Sequence, residues 1–252
     1  MLGVAAKLDF LRRFLGTTFG FVIFGVVGFL SKIVLYKYAK NYPHHSLVEQ
    51  QKARLIVNKC WRFFVKYLTF AGVLEVEYIG FEKLGRAGQF VIANHPSLLD
   101  VVLIFSQNAK FNVVVKQDLL NNPSMRTQIL SCGFLPNTQS EELLHECDDV
   151  LKTQPLLLFA EGTRTGWDGI VKLNRGAVSI GLRSAKVITP IKIEMSPLNF
   201  KKNQPWYKMP STRIKYKLTV GDDIDPQTWL AEKPLPIASR RLTAFLEQYF
   251  NS

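Results

Sequence analysis

The sequence is poor in cysteine, histidine and acidic residues. Its 252 residues include 3 cysteines and 4 histidines. The cysteines, Cys60, Cys132 and Cys147, are odd in number and widely spaced, so they provide neither a disulfide framework nor the spacing of metal ligands. We therefore expect a reducing environment, with no metal and no cofactor.

The deficit of acidic residues leaves a formal net charge of +12 and a pI near 9.6. Such a charge is typical of proteins that bind nucleic acid, an anionic membrane surface or anionic substrates. The sequence has no helix-turn-helix, zinc-finger spacing or RNP-like aromatic motif, so nucleic acid is disfavoured as a partner. An anionic membrane surface and anionic substrates remain.

A long uncharged run lies near the N-terminus, from Leu15 to Ser31, and apolar residues resume after Lys32. With Lys32 able to extend its ammonium to the interface, this run approaches the roughly 20 residues that a spanning helix needs. We expect a membrane-inserted anchor, either a full span or a re-entrant hairpin, and an active domain that faces the cytoplasm. In a bacterium the membrane would be the inner one.

A second amphipathic segment, Leu47 to Ala71, combines lysines at helical spacing with a broad aromatic surface. Such a helix either lies at the lipid headgroup boundary or packs on the following domain, and the two are compatible. We therefore assign residues 1–73 to an N-terminal helical membrane-associated module and residues 74–252 to a second domain.

Strands and helices alternate along residues 74–252. The strand candidates are Leu74–Tyr78, Phe90–Ala93, Asn112–Val115, Leu156–Ala160, Val187–Ile193 and Ile214–Val220. The helix candidates are Leu98–Ser106, Ser124–Ser131, Ser140–Leu151, Gly176–Ser184 and Ile237–Phe250. This alternation predicts a single α/β domain with a largely parallel sheet, whose reactive loops gather beyond the carboxyl ends of the strands.

A histidine and an aspartate follow one of these strands, in the stretch Asn94-His95-Pro96-Ser97-Leu98-Leu99-Asp100. In an unbroken helix, residues five apart point about 140° away from each other. A turn at His95-Pro96, with Pro96 in the first turn of the next helix, would let Asp100 fold back toward the imidazole. Such a pair acts as a general base with its orienting acid. The alternative is a histidine that caps a helix, with a solvated aspartate.

A second loop follows the strand candidate Leu156–Ala160 and carries Glu161-Gly162-Thr163-Arg164. The planar guanidinium of Arg164 suits a phosphate or carboxylate. Taken alone, this loop is more typical of a surface turn with a Glu–Arg pair. Because His95 and Glu161 both follow strands, we expect them to share one cleft.

Together the two stretches resemble the NHxxxxD and FPEGTR blocks of the glycerolipid acyltransferase family, whose best-known members acylate 1-acylglycerol-3-phosphate. Two further stretches, Val115-Lys116-Gln117-Asp118-Leu119 and Val187-Ile188-Thr189-Pro190-Ile191, resemble other blocks of that family in the same order. The resemblance covers about residues 88–195. It implies direct transfer of a fatty acyl group from acyl-CoA or acyl-carrier protein to the free hydroxyl of a lysophospholipid, which fits the lack of a recognisable nucleophile elbow.

The resemblance also implies roles for individual residues. His95 would be the general base and Asp100 its partner. The acceptor would be positioned by Glu161, Gly162, Thr163 and Arg164, with Arg164 on its anionic group. Supporting roles are implied for Asn94, which would brace the turn or join the polar site, and for Lys116 and Arg175.

The sequence departs from the family's second block, where an arginine usually holds the phosphate of the acceptor. Here the stretch is Cys132-Gly133-Phe134-Leu135-Pro136-Asn137-Thr138, without that arginine. Lysophosphatidate stays the leading acceptor. A lipid hydroxyl or amine without glycerol phosphate is the alternative, and a non-enzymatic membrane-binding scaffold is a third hypothesis.

A later basic cluster extends from Lys201 to Lys217. We expect it either to bind lipid headgroups or an acidic carrier protein, or to be solvated surface.

Overall fold

A computed structural model describes residues 3–138 and 141–252. The helices in these residues are α1 (Val4–Ala39), α2 (Leu47–Phe70), α3 (Asp100–Gln107), α4 (Arg126–Cys132), α5 (Glu141–Thr153), α6 (Arg175–Ser184), α7 (Pro226–Glu232) and α8 (Leu235–Asn251). The strands are β1 (Leu74–Ile79), β2 (Gln89–Ala93), β3 (Asn112–Lys116), β4 (Leu135–Asn137), β5 (Leu156–Phe159), β6 (Val187–Ser196) and β7 (Ile214–Val220). Two short 3₁₀ helices span Phe81–Lys83 and Gln117–Asn121.

The strands form one sheet in the order β1-β7-β6-β2-β5-β3-β4. Strands β6, β2, β5, β3 and β4 run parallel to one another. Strand β7 is antiparallel to β6, and β1 is parallel to β7, so these two run the opposite way. The largely parallel α/β sheet is therefore confirmed, and the carboxyl ends of five strands meet at one edge.

Helices cover both faces of this sheet. Along β2, Val91 and Ala93 lie in a core with α2 and α3, whereas Phe90 and Ile92 lie in a second core with α5, α6 and α8. Successive side chains of a strand point to opposite faces, so a strand covered on both sides is apolar throughout. This explains the unbroken apolar run that precedes His95.

Helix α2 packs on the sheet domain. It begins with a capping box in which Ser46 and Glu49 each accept a hydrogen bond from the other's backbone N–H. Its inner side buries Trp61, Phe64 and Leu68 in the core that also holds α3. Its outer side leaves Phe63 and Phe70 exposed. Contact of that outer side with lipid, and the domain boundary at residue 73, stay predictions.

Helix α1 is long and apolar enough to cross a membrane. At 1.5 Å per residue its 36 residues extend about 54 Å. One side of α1 packs closely on the protein: a Cβ at Gly16 would lie 2.7 Å from Cβ of Ala71, and one at Gly28 would lie 2.9 Å from Cβ of Ser124. The other side exposes a series of large apolar side chains, among them Phe19, Val22, Val26, Phe29 and Ile33.

One strand and one α-helix are missing from the sequence prediction, and two helices, α3 and α4, each begin two residues later than expected. Strand β4 has three residues with a proline at its centre, too short for a period-two pattern. Helix α7 has a recognisable start, with Asp225 as its N-cap and Pro226 in its first turn. Helix α3 begins at Asp100 instead of Leu98. The expected helix start at Ser140 lies outside the described residues.

We expect the double substitution Val22→Glu and Val26→Glu to release the protein from liposomes while leaving it folded. These side chains are 55% and 50% exposed, and charges on an inserted helix are costly. Liposome flotation in high salt, with circular dichroism as the folding check, measures the effect. The matched control is Ile237→Glu with Phe245→Glu on α8, which covers the other face of the sheet. A Val22/Val26 variant that floats like wild type would contradict an α1 anchor.

Candidate active site

His95 and Asp100 are in contact at the carboxyl end of β2. Nδ1 of His95 lies 2.7 Å from Oδ2 of Asp100. The contact forms because the chain turns through residues 96–99, which places Asp100 at the start of α3 facing back toward the ring. Pro96 lies before α3, so the expectation that it occupies the first turn of that helix is wrong.

The Asp100 carboxylate is fully buried and accepts hydrogen bonds from three donors. Besides the His95 ring, the Ser97 backbone N donates over 2.7 Å and the Ser97 Oγ donates over 2.5 Å. A buried charge is tolerated when it is hydrogen-bonded in this way. With Nδ1–H donating to Asp100, the neutral imidazole keeps its lone pair on Nε2. The ring also packs on Phe159, 4.4 Å between centroids.

The loop after β5 is tied to the backbone of His95. Oε1 of Glu161 accepts a hydrogen bond from the His95 backbone N (2.7 Å) and another from Oγ1 of Thr165 (2.8 Å). The Thr165 backbone N donates to the His95 carbonyl over 2.8 Å. Burial raises the pKa of Glu161, and the bonds from His95 and Thr165 oppose that rise. Glu161 is therefore a brace for the segment that carries the histidine.

Arg164 reaches across the cleft to the segment after β6. Its Nη1 donates to the Phe200 carbonyl over 2.9 Å. Burial lowers the pKa of Arg164 and the Asp100 carboxylate opposes the change, but an arginine stays protonated at neutral pH. Gly162, two residues earlier, has φ of 67°, a left-handed conformation that favours glycine.

Two cavities meet at His95. The more polar cavity, of about 390 Å³ and called the polar cavity below, is lined by seven apolar residues, mostly of β3 and β5, and by His95, Lys116, Asn137, Gly162, Thr163, Arg164 and Lys202. The apolar cavity, of about 440 Å³, lies against α1, α2 and α3 and is lined by residues that include Gly20, Phe21, Phe24, Trp61, Phe64, Leu98 and Phe200. Both cavities are also lined by Lys116 and Arg164. A group bound in either one would reach the histidine.

The supporting residues divide between the site and its surroundings. Asn94 is buried, and its amide bonds the backbone O (2.9 Å) and N (2.7 Å) of Ile193 in β6. Lys116 forms an ion pair with Asp118 at the end of β3. Arg175 is exposed at the start of α6 and lines neither cavity, so the structure does not bring it together with the other candidates.

Sequence reasoning missed Ser97, Thr165 and Lys202 as parts of the site. Ser97 had a signal, because Ser-x-x-Asp spacing is typical of helix starts where side chain and backbone bond reciprocally. Lys202 belongs to the basic cluster after residue 200, and the fold places it at the polar cavity. The adjacent Lys201 is buried.

Within residues 3–138 and 141–252, no group of three or more His, Cys, Asp or Glu side chains is arranged to hold a metal.

Comparisons with known proteins give one family match and one similar fold. Residues 75–194 match the sequence model of the family described as Acyltransferase. No curated protein sequence matches the chain. The crystal structure of the 1-acyl-sn-glycerophosphate (LPA) acyltransferase PlsC from Thermotoga maritima is similar, with a TM-score of 0.72 and 20% identity over 97% of this chain and 98% of that one. The similarity in fold therefore extends to the N-terminal helices.

We expect Glu161→Gln to preserve the site, because a glutamine Oε1 accepts the same two hydrogen bonds. Since burial raises the pKa of Glu161, the ionised carboxylate lowers wild-type stability as pH rises from the unfolded value of about 4.3 through the folded one. The variant should thus be at least as stable as wild type at pH 8, with the difference shrinking toward pH 4. Urea unfolding at both pH values measures this.

The matched control is Glu161→Ala, which leaves both donors without their acceptor. It should lower the free energy of unfolding by about 1–3 kcal/mol. A glutamine variant as unstable as the alanine variant at pH 8 would show that the carboxylate charge, and not the two hydrogen bonds, holds the loop.

Proposed function

Because residues 75–194 match the model of the acyltransferase family, we propose that this chain transfers a fatty acyl group from acyl-CoA or acyl-carrier protein to the free hydroxyl of 1-acylglycerol-3-phosphate, giving phosphatidate. One observation carries the proposal. The His95–Asp100 pair lies where an apolar cavity meets a cavity lined by cations. An acyl chain and an anionic acceptor would meet at such a position.

His95 acts as the general base in this proposal. Its Nε2 accepts the proton of the acceptor hydroxyl as the oxygen attacks the thioester carbonyl. A C–O bond forms, the C–S bond breaks, and the imidazolium returns the proton to the departing thiolate. The Asp100 carboxylate, 2.7 Å from Nδ1, holds the tautomer and stabilises the imidazolium.

The apolar cavity receives the acyl chain of the donor. Its volume of about 440 Å³ falls within the roughly 300–1,000 Å³ that is usual for small-molecule sites. Phe21 and Phe24 of α1 and Trp61 and Phe64 of α2 line it, which offers the chain an apolar, largely aromatic surface. His95 at its end would place the thioester carbonyl beside the base.

The cations of the polar cavity favour a phosphorylated acceptor. Lys116, Arg164 and Lys202 all line it, and guanidinium and ammonium groups are the usual partners of phosphate. Exposed α1 would hold the enzyme at an anionic membrane, where the lysolipid lies, with the site facing the cytoplasm. Asn137 lines the same cavity in the block where the family has its arginine, and this favours the second candidate, an acceptor without phosphate.

A single assay separates these functions. Purified protein in detergent is incubated with labelled palmitoyl thioesters of CoA and carrier protein and a panel of lysolipids, and products are identified by mass spectrometry. Phosphatidate as the main product supports the proposal. Product from a neutral acceptor alone supports the second candidate, and no product from any lysolipid contradicts both.

We expect His95→Ala to lower the rate of acyl transfer by roughly 100- to 10,000-fold, the usual contribution of a general base, in a folded protein. Asp100→Asn should be similarly damaging, since an amide cannot accept all three hydrogen bonds and keep the ring's tautomer. The control is His145→Ala, at an exposed position on α5. A folded His95→Ala variant with most of its activity would refute the general base.

We expect Arg164→Ala to raise the apparent KM for lysophosphatidate by about 10- to 150-fold, because a charge-assisted hydrogen bond is worth roughly 1.5–3 kcal/mol. The KM for the thioester should change far less. The exposed Arg240→Ala on α8 is the control.

Asn137→Arg gives the complementary test of the headgroup. With lysophosphatidate as substrate it should be neutral or helpful. With an unphosphorylated native acceptor, it should instead raise a low activity toward lysophosphatidate and impair the native reaction. Equal, high wild-type activity on both kinds of acceptor would contradict headgroup recognition by these cations.

A further inference from the structure

The segment between β6 and β7, residues 197–213, forms one wall of the active site. It is called the β6–β7 loop below. The Phe200 carbonyl accepts hydrogen bonds from Nη1 of Arg164 (2.9 Å) and from the backbone N of Leu98 (3.2 Å). Phe200 has φ of 53°, rare for a bulky residue, so its conformation depends on its surroundings. The position of Arg164 therefore depends on where this loop lies.

Helix α1 holds the other end of the same loop. The Arg13 side chain is 1% exposed, and its guanidinium donates to three consecutive carbonyls, those of Pro210 (2.9 Å), Ser211 (2.5 Å) and Thr212 (3.1 Å). Its Nε donates to Asp9 over 2.9 Å. A guanidinium presents several donors in a rigid plane, so Arg13 holds the loop more firmly than a lysine at this position would.

Aromatic contacts and an internal brace connect the two ends. Trp206 packs on Phe14 and Phe21 of α1, with centroids 6.1 and 5.8 Å apart. Phe21 also contacts Phe200, 6.3 Å between centroids. Inside the loop, the Gln204 side chain accepts from the Lys201 backbone N and donates to the Lys208 carbonyl. These contacts form a continuous path from residues 210–212 to Phe200.

From these contacts we infer that Arg13 is a positioning residue for acceptor recognition: it seats the β6–β7 loop on α1, and the loop's Phe200 carbonyl aims Arg164 at the anionic group of the acceptor. The inference rests on the proposed function, and it adds a residue about 150 positions from Arg164 in sequence. It also connects α1, one side of which is exposed, to Arg164, the cation that would bind the anionic group of the acceptor. The effect of Arg13 on Arg164 is measured as a coupling free energy between these two residues.

A double-mutant cycle tests this inference. Arg13→Gln should raise the apparent KM for lysophosphatidate roughly 5-fold or more, a usual magnitude for coupled sites, with the KM of the thioester within about twofold. In an Arg164→Ala background the same substitution should have little further effect, because the residue through which Arg13 acts is gone. Arg12→Gln is the matched control, since Arg12 also pairs with Asp9 but is 52% exposed.

A second variant approaches the contact from the loop. Trp206→Ala removes a partly exposed ring that packs on α1. It should give the same change in the KM for lysophosphatidate even if Arg13→Gln folds poorly. The control is Tyr207→Ala, at an exposed position of the same loop. Limited trypsinolysis adds a readout that needs no activity. Cleavage after Lys202 and Lys208 should be faster in both variants than in their controls.

The outcomes are distinguishable. Full additivity in the cycle, an unchanged acceptor KM, or equal rises in both KM values would overturn the positioning role while leaving the proposed function intact. Absence of acyl transfer by wild type to every lysolipid would overturn the proposed function, and this inference with it. Unchanged trypsin cleavage in both variants would show that α1 does not seat the loop.

Discussion

The buried carboxylate of Asp100 accepts hydrogen bonds from the Ser97 backbone, the Ser97 hydroxyl and the His95 ring. Loss of a donor would leave a buried charge only partly compensated, which is among the costliest changes in a protein interior. The turn of residues 96–99, the start of α3 and the orientation of the imidazole are therefore one energetic unit. The chain cannot relax one of them without exposing or orphaning that charge.

The sheet then holds this unit from both sides. Strand β2 lies between β6 and β5, and consecutive residues at its end bond to opposite neighbours. The Asn94 amide bonds Ile193 of β6, and the His95 backbone N donates to Glu161 after β5. Arg164, from the same β5 loop, is held in turn by Phe200. His95, the proposed base, thus has a fixed backbone, while Arg164, the proposed cation for the acceptor, depends on a longer chain of contacts.

This difference explains how much the sequence could predict. The apolar runs of β2 and β5 predict buried parallel strands, and the parallel order predicts that His95 and Glu161 meet at one edge. The pairing of His95 with Asp100 followed from a local turn. By contrast, Lys202, Phe200 and Arg13 join the site through contacts between residues far apart in sequence, for which no local pattern exists. Strand β4 was missed because three residues cannot show a period.

The absence of a side chain at Gly20 has a consequence for how the apolar cavity is built. Gly20 lines that cavity, and a Cβ there would lie 3.0 Å from Cδ2 of Leu68 on α2. Position 20 therefore bears both on the spacing between α1 and α2 and on the width of the cavity. A larger residue at position 20 would either narrow the bore or push the helices apart. The residue at position 20 therefore sets the width of the apolar cavity, the seating of the outermost helix, or both.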